Sequence, residues 1–115
     1  MNREKLCQQF LRSAAALVRK AGLARGQRQD SKGAVCMLGA MDYCGVRVDH
    51  IERRRIEQHI SRLLPRLPAV GVRDTYNGRV DPRSPANSQI AYWSNMVAKN
   101  EREVAEMLEK AAESC

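Results

Sequence analysis

The stretch REKLCQQFLRSAAALVRKAG, residues 3–22, decides the fold class. Leu6, Phe10, Ala14, Leu17, Val18 and Ala21 recur at the i, i+4, i+8, i+11, i+12, i+15 rhythm of one helical face. Arg3, Arg12, Arg19 and Lys20 fall mainly on the other side. The alanines favour the helix, and Gly22 supplies a stop. The run GLARGQRQDSKG that follows is polar, basic and glycine-containing, and reads as a loop.

The same periodicity continues outward. Ala34, Met37, Leu38, Met41 and Cys44 hold helical spacing, and the positions between them are small or apolar too. A helix apolar almost all round is a buried, central one. Gly39 inside it weakens the helix by about 1 kcal/mol relative to alanine; close approach of a neighbouring helix is its expected use. Gly45 fits the position just past the helix end. Asp49 and Glu52 form a loosened capping box that opens IERRRIEQHISRLLPRL. Its apolar stripe is Ile56, Ile60, Leu63 and Leu64, and Pro65 ends it. Residues 65–88 are irregular and hold all four prolines. Within 66–88 the segment VRDTYNGRV could form a small β-hairpin around Asn77-Gly78, with an ordered long loop as the equal alternative. Ser84-Pro85 then starts a fourth helix. Ile90, Trp93, Met96 and Val97 are expected along its core face, with a break at Ala98-Lys99. Asn100 and Glu103 form a second box, and Val104, Met107, Leu108, Ala111 and Ala112 line a last helix. The expectation is a single all-α domain over 1–115: a compact bundle of about five helices with one irregular insertion.

A chain of 115 residues, 43% hydrophobic and 29% charged, fits an ordinary globular domain. No apolar run approaches the ~18 residues of a membrane span. MNREKLCQQF has charged and polar residues where a secretory signal would be apolar, so a cytoplasmic location is expected. In a reducing compartment Cys7, Cys36, Cys44 and Cys115 are expected to stay free thiols. Cys115 stands last and not fourth from last, so it makes no prenylation motif. The net charge of +7 is uneven: residues 1–83 carry 17 Lys and Arg against 8 Asp and Glu, a balance of +9, and residues 84–115 carry 3 against 5, a balance of −2. Such asymmetry attracts polyanions or an acidic partner.

Candidate chemistry is sparse. Cys36, Cys44, His50 and His59 lack the close pairs of a zinc site, and Cys36 and Cys44 on one helix would lie about 12 Å apart along its axis. No metal and no cofactor is expected. No phosphate-cradling loop, dinucleotide fingerprint or nucleophile elbow occurs, and no carboxylate pair faces inward, so the chain reads as a non-enzyme. Binding candidates are Arg53, Arg54, Arg55 and Arg62 on the third helix, with Arg73, Tyr76, Tyr92, Ser94 and Asn95 further on. Three successive arginines point in three directions around a helix, at about 100° per residue, so the basic run reads as a solvated face ahead of a phosphate-binding one. Trp93 reads as core; Tyr92, Ser94 and Asn95 fall off its stripe, where they could face solvent or a groove.

Three landmarks in order resemble a family of small proteins from actinobacteria and their phages, a domain of unknown function. They are Cys36-Met37-Leu38-Gly39-Ala40, then Ile90-Ala91-Tyr92-Trp93-Ser94-Asn95, then Glu103-Val104 through Ala111, with Asp30 to Ala34 also similar. The family pattern ends its tryptophan motif W-N-D, whereas this chain has Trp93-Ser94-Asn95. The resemblance brings no activity with it; it implies a small accessory protein of a phage or mobile element. The expected function is binding and modulation, by inhibition, of a host or competitor macromolecule, with a protein partner of acidic character first. A nucleic-acid binder using the basic helix with residues 25–32, and a binder of small anions such as nucleotides, are the alternatives. A homodimer is compatible with all three.

Overall fold

The computed structural model describes residues 2–65 and 85–115. Five helices form: α1 Arg3–Ala21, α2 Met37–Tyr43, α3 His50–Leu63, α4 Pro85–Tyr92 and α5 Glu101–Glu113, with a π-helical turn Trp93–Val97 running on from α4. No strand occurs among the described residues, so the chain is an all-α bundle. The hairpin considered within 66–88, the Ser84 cap, Arg73 and Tyr76 lie outside the described residues.

α1, α2, α3 and α5 each start on a side chain that satisfies a backbone N–H left unpaired by the first turn. Asn2 Oδ1 accepts from Lys5 at 2.8 Å, Asp49 Oδ1 from Glu52 at 2.8 Å, and Asn100 Oδ1 from Glu103 at 3.0 Å. The second box closes one residue early, because Glu103 accepts from the Lys99 N–H and not from that of Asn100. Cys36 and Cys44, expected on the body of α2, flank it instead, and the Cys36 sulfur accepts from the Gly39 N–H at 3.4 Å.

α1 and α5 form the most extensive helix pair, and α2, α3 and α4 complete the bundle. The buried stripe of α1 is Cys7, Phe10, Leu11, Ala14, Ala15 and Val18. It is rotated by about one position from the expected one, because α1 packs against both α2 and α5. Leu17 and Ala21 pack at the margin of the core. The alanines of α1 and α5 at this contact keep the side chains short, so the two backbones can approach.

Gly39 serves a different close approach from the one expected. A Cβ at this position would lie 1.8 Å from the Arg28 carbonyl oxygen. The neighbour is therefore the backbone of the basic loop, not a second helix. That loop is ordered: Leu23 and Gln29 bridge to Val35, and the Arg28 carbonyl accepts from the Cys36 N–H.

The end of the fourth helix also departs from expectation. Ile90 and Trp93 are core residues as anticipated, but Met96 is 59% and Val97 38% exposed. The Ala98 N–H donates to the Trp93 carbonyl five residues back, at 2.9 Å. A π turn holds one more residue than an α turn, which rotates the following positions by about 100°. Ala98 turns in and Met96 and Val97 turn out.

Two of the four thiols expected to be free are joined: Cys7 and Cys115 form a disulfide across 108 residues of sequence, with Cα atoms 6.1 Å apart. Packing of α1 on α5 is what brings them together. Cys36 is buried and Cys44 half-buried, both free.

Gly39→Ala must displace backbone, and urea denaturation should show a loss of about 3 kcal/mol. The double variant Cys7→Ser/Cys115→Ser should lose roughly 2–4 kcal/mol and keep its helical circular dichroism. Addition of dithiothreitol should bring the parent chain to the same midpoint.

Candidate functional site

α3 begins at the Asp49 cap, which sets where its arginines fall along the helix. Arg53 turns inward. Its guanidinium pairs with Asp42 at 2.8 Å and with Glu57 at 2.8 Å, reaches the Leu38 carbonyl at 3.4 Å, and lies 6.0 Å from the Phe10 ring centre. Asp42 also receives Arg28 at 2.5 Å, and Glu57 receives the Asn87 amide at 3.3 Å. The side chains of Arg53 and Glu57 are only 19% and 7% exposed. This is a partly buried network joining the basic loop, α2, α3 and α4. Arg53 is thus not part of the solvated face expected for it, since a charged group this far from water has to be paired.

The other three arginines point away. Ile51, Arg54, Arg55, Gln58 and Arg62 are exposed and recur at i, i+3, i+4, i+7 and i+11, so they share one face of α3. Arg54 and Arg62 make no ion pair among the described residues, and Arg55 reaches Glu52 at 3.6 Å. Ile51 is 56% exposed. The result is a narrow stripe: three guanidiniums and one apolar side chain on a rigid helix.

The tryptophan junction is a closed structural knot. Ser94, expected off the core stripe, is fully buried. Its hydroxyl oxygen accepts from the Met37 N–H at 3.0 Å and so caps α2. Asn95 Oδ1 accepts from the Gly26 N–H at 3.1 Å. Arg25 donates to the carbonyls of Asn95 at 2.9 Å, Ala98 at 2.6 Å and Lys99 at 3.1 Å, which are orphaned where the π turn ends. Of the three junction residues, Tyr92 alone keeps a side chain partly open without such a task. Nothing in the sequence distinguished Arg25 from its neighbours in the loop, because the carbonyls it serves lie some seventy residues away.

A solvent-facing cleft of about 420 Å³ lies where α1, α3 and the end of α5 meet. Arg3, Glu52, Arg55, His59 and the Cys7–Cys115 bridge line it. Arg3 pairs with Glu52 at 2.8 Å. His59 Nε2 lies 3.0 Å from the Ala111 carbonyl and 3.0 Å from Ser114 Oγ. A carbonyl only accepts, so Nε2 carries the proton and donates to it. In this arrangement that nitrogen cannot take a proton from Ser114, and the pair fixes the end of α5 to α3. His59, set aside in the sequence as a zinc ligand, is a partly buried polar residue, and a lone histidine on a basic helix carries no signal of its distant partner. Burial pushes the Cys36 thiol above its ordinary range, with the Gly39 and Leu38 backbone N–H groups opposing; it stays protonated at neutral pH. Among the described residues no three His, Cys, Asp or Glu side chains gather where a metal ion could sit, and no helix is long and apolar enough to cross a membrane.

The division of the arginines is measurable by substitution. Arg53→Met strands a buried carboxylate and should cost about 3 kcal/mol in urea denaturation. Arg54→Ala and Arg62→Ala, each on the open face, should stay within about 0.5 kcal/mol of the parent.

Comparison with curated proteins and with solved structures finds no match. The sequence pattern of one protein family matches residues 3–114, which takes in all five helices and the tryptophan junction. By that match over nearly its whole length the chain belongs to the family of unknown function DUF6197.

Proposed function

We propose that this chain is a non-catalytic binding domain, an accessory protein of a phage or mobile element, that inhibits an acidic protein partner by docking through the exposed face of α3. One observation supports this above the others. The fold takes Arg53 inward and leaves Arg54, Arg55 and Arg62 on a single outward stripe beside Ile51. Exposed arginines around an apolar side chain are the composition of a protein interface: arginine is enriched there, and a charged rim steers encounter while the apolar centre supplies burial. The accompanying expectation of a cytoplasmic setting belongs to the same proposal.

Nucleic acid is the weaker reading on magnitude. Backbone binders that neutralise phosphates use about six to ten contacts. The stripe offers three guanidiniums, one of them shared with Glu52, and Arg25 and Arg28 of the basic loop are engaged within the fold. The small-anion reading loses Ser94 and Asn95 to structural hydrogen bonds.

Binding of labelled polyglutamate and of duplex DNA, measured by fluorescence anisotropy across a salt series, tests the proposal. Polyglutamate should bind more tightly than DNA at every salt concentration. Arg54→Glu/Arg62→Glu should abolish that binding while leaving the unfolding midpoint in place. Tighter DNA binding would favour the nucleic-acid reading, and no binding to either at low salt would overturn both.

A further inference from the structure

The Cys7–Cys115 bridge does more than join two helices; it forms part of the wall of the cleft. Cys7 is 9% exposed and buried in α1, while Cys115 at the end of α5 is more open to solvent. Both sulfurs belong to residues that line the same solvent-facing space of about 420 Å³. A small molecule can therefore reach the disulfide without any part of the core opening. The other two cysteines differ in this respect. Cys36 is buried behind the α2 N-terminus, and the half-buried Cys44 thiol faces the carbonyls of Phe10, Met41 and Val46 at 3.7–3.9 Å.

We propose that the cleft is a thiol–disulfide exchange site for low-molecular-weight thiols, and that Cys115 is the sulfur attacked. The thiolate of the small molecule approaches Cys115 Sγ from the cleft. A new sulfur–sulfur bond forms between them as the Cys7–Cys115 bond breaks. The electron pair of the broken bond stays on Cys7 Sγ, which takes a proton from water. The small thiol is thereby oxidised to a mixed disulfide and Cys7 is reduced, so no further oxidant is needed. Return attack by the Cys7 thiolate restores the bridge and expels the small thiol.

Two features of the cleft bear on this step. Arg3 lies four residues before Cys7, on the same face of α1, where positive charge favours the departing thiolate. The charge nearby is balanced, however: Arg3 and Arg55 stand with Glu4 and Glu52, so the cleft selects by size and access and not by the sign of the thiol's charge. Exchange also leaves the fold in place. α1 and α5 remain packed through Leu11, Ala14, Leu108 and Ala111 in the core, and His59 still holds the Ala111 carbonyl. What changes is local: Ser114 and Cys115 are released from α1, and the floor of the cleft opens. None of this rests on the role given to the outer face of α3.

The test uses the oxidised full chain in reduced glutathione at graded concentration, acid-quenched and mapped by mass spectrometry without reduction, with helicity followed by circular dichroism. Glutathione should appear on Cys115 while the helices persist, and Cys36 should stay unmodified. Removing the glutathione should restore the bridge. Cys7→Ser, which leaves Cys115 unpaired, should form the same adduct with oxidised glutathione. Glu4→Trp at the mouth of the cleft should slow glutathione more than the smaller β-mercaptoethanol. An adduct on Cys7, or reaction only as helicity is lost, would overturn the proposal.

Discussion

Arg53 and the two carboxylates around it form the constraint on which the rest of the molecule depends. One guanidinium, four-fifths removed from solvent, holds Asp42 of α2 and Glu57 of α3 and lies over the Phe10 ring of α1. Through Asp42 it reaches Arg28 of the basic loop, and through Glu57 it reaches Asn87 of α4. A buried ion pair gives little net stability against a hydrophobic equivalent, but removing one partner is costly because the other charge is left unpaired. Its effect here is positional. It holds the rotation of α3 about its own axis, and that rotation decides which arginines the surface retains.

That rotation turns an ambiguous charge run into a defined surface. Four arginines of α3 contribute equally to the net charge, yet they have three different fates: one inside, one half-engaged by Glu52, two open. The excess positive charge of the first three-quarters of the chain is similarly divided. Arg3, Arg19, Arg25 and Arg28 each have a partner within the fold. Composition counts such groups as available to an external polyanion, whereas among the described residues these four are already engaged within the fold.

A second set of contacts joins the loop after α1 and the start of α2 to the turn after α4. Gly39 exists to admit the Arg28 carbonyl, Ser94 caps the helix that Gly39 belongs to, and Arg25 closes the π turn that follows Trp93. The loop between α1 and α2 and the turn between α4 and α5 are therefore one structural unit. The residues around Trp93 serve that unit first. The open cleft on the other side of α3, with its histidine and its disulfide, has chemistry that the junction lacks.

The sequence by itself determined the helical class, the helix starts at Asp49 and Asn100, the stop at Gly22 and the burial of Trp93. These follow from local periodicity and from side chains that bond to backbone groups three residues away, so a single strand of sequence contains both partners. Tertiary structure alone decided the rest. The pairing of Cys7 with Cys115 requires α1 to lie on α5. The π turn follows the bonding of Arg25 to carbonyls beyond Ser94, and it reverses the sides of Met96 and Ala98. The inward turn of Arg53 needs Asp42 and Glu57 in place on two helices. In each case at least one deciding contact comes from another element of the fold, namely α5 against α1, the basic loop against the π turn, and Asp42 of α2 against Arg53, and residue spacing along one segment carries no record of which distant group will arrive.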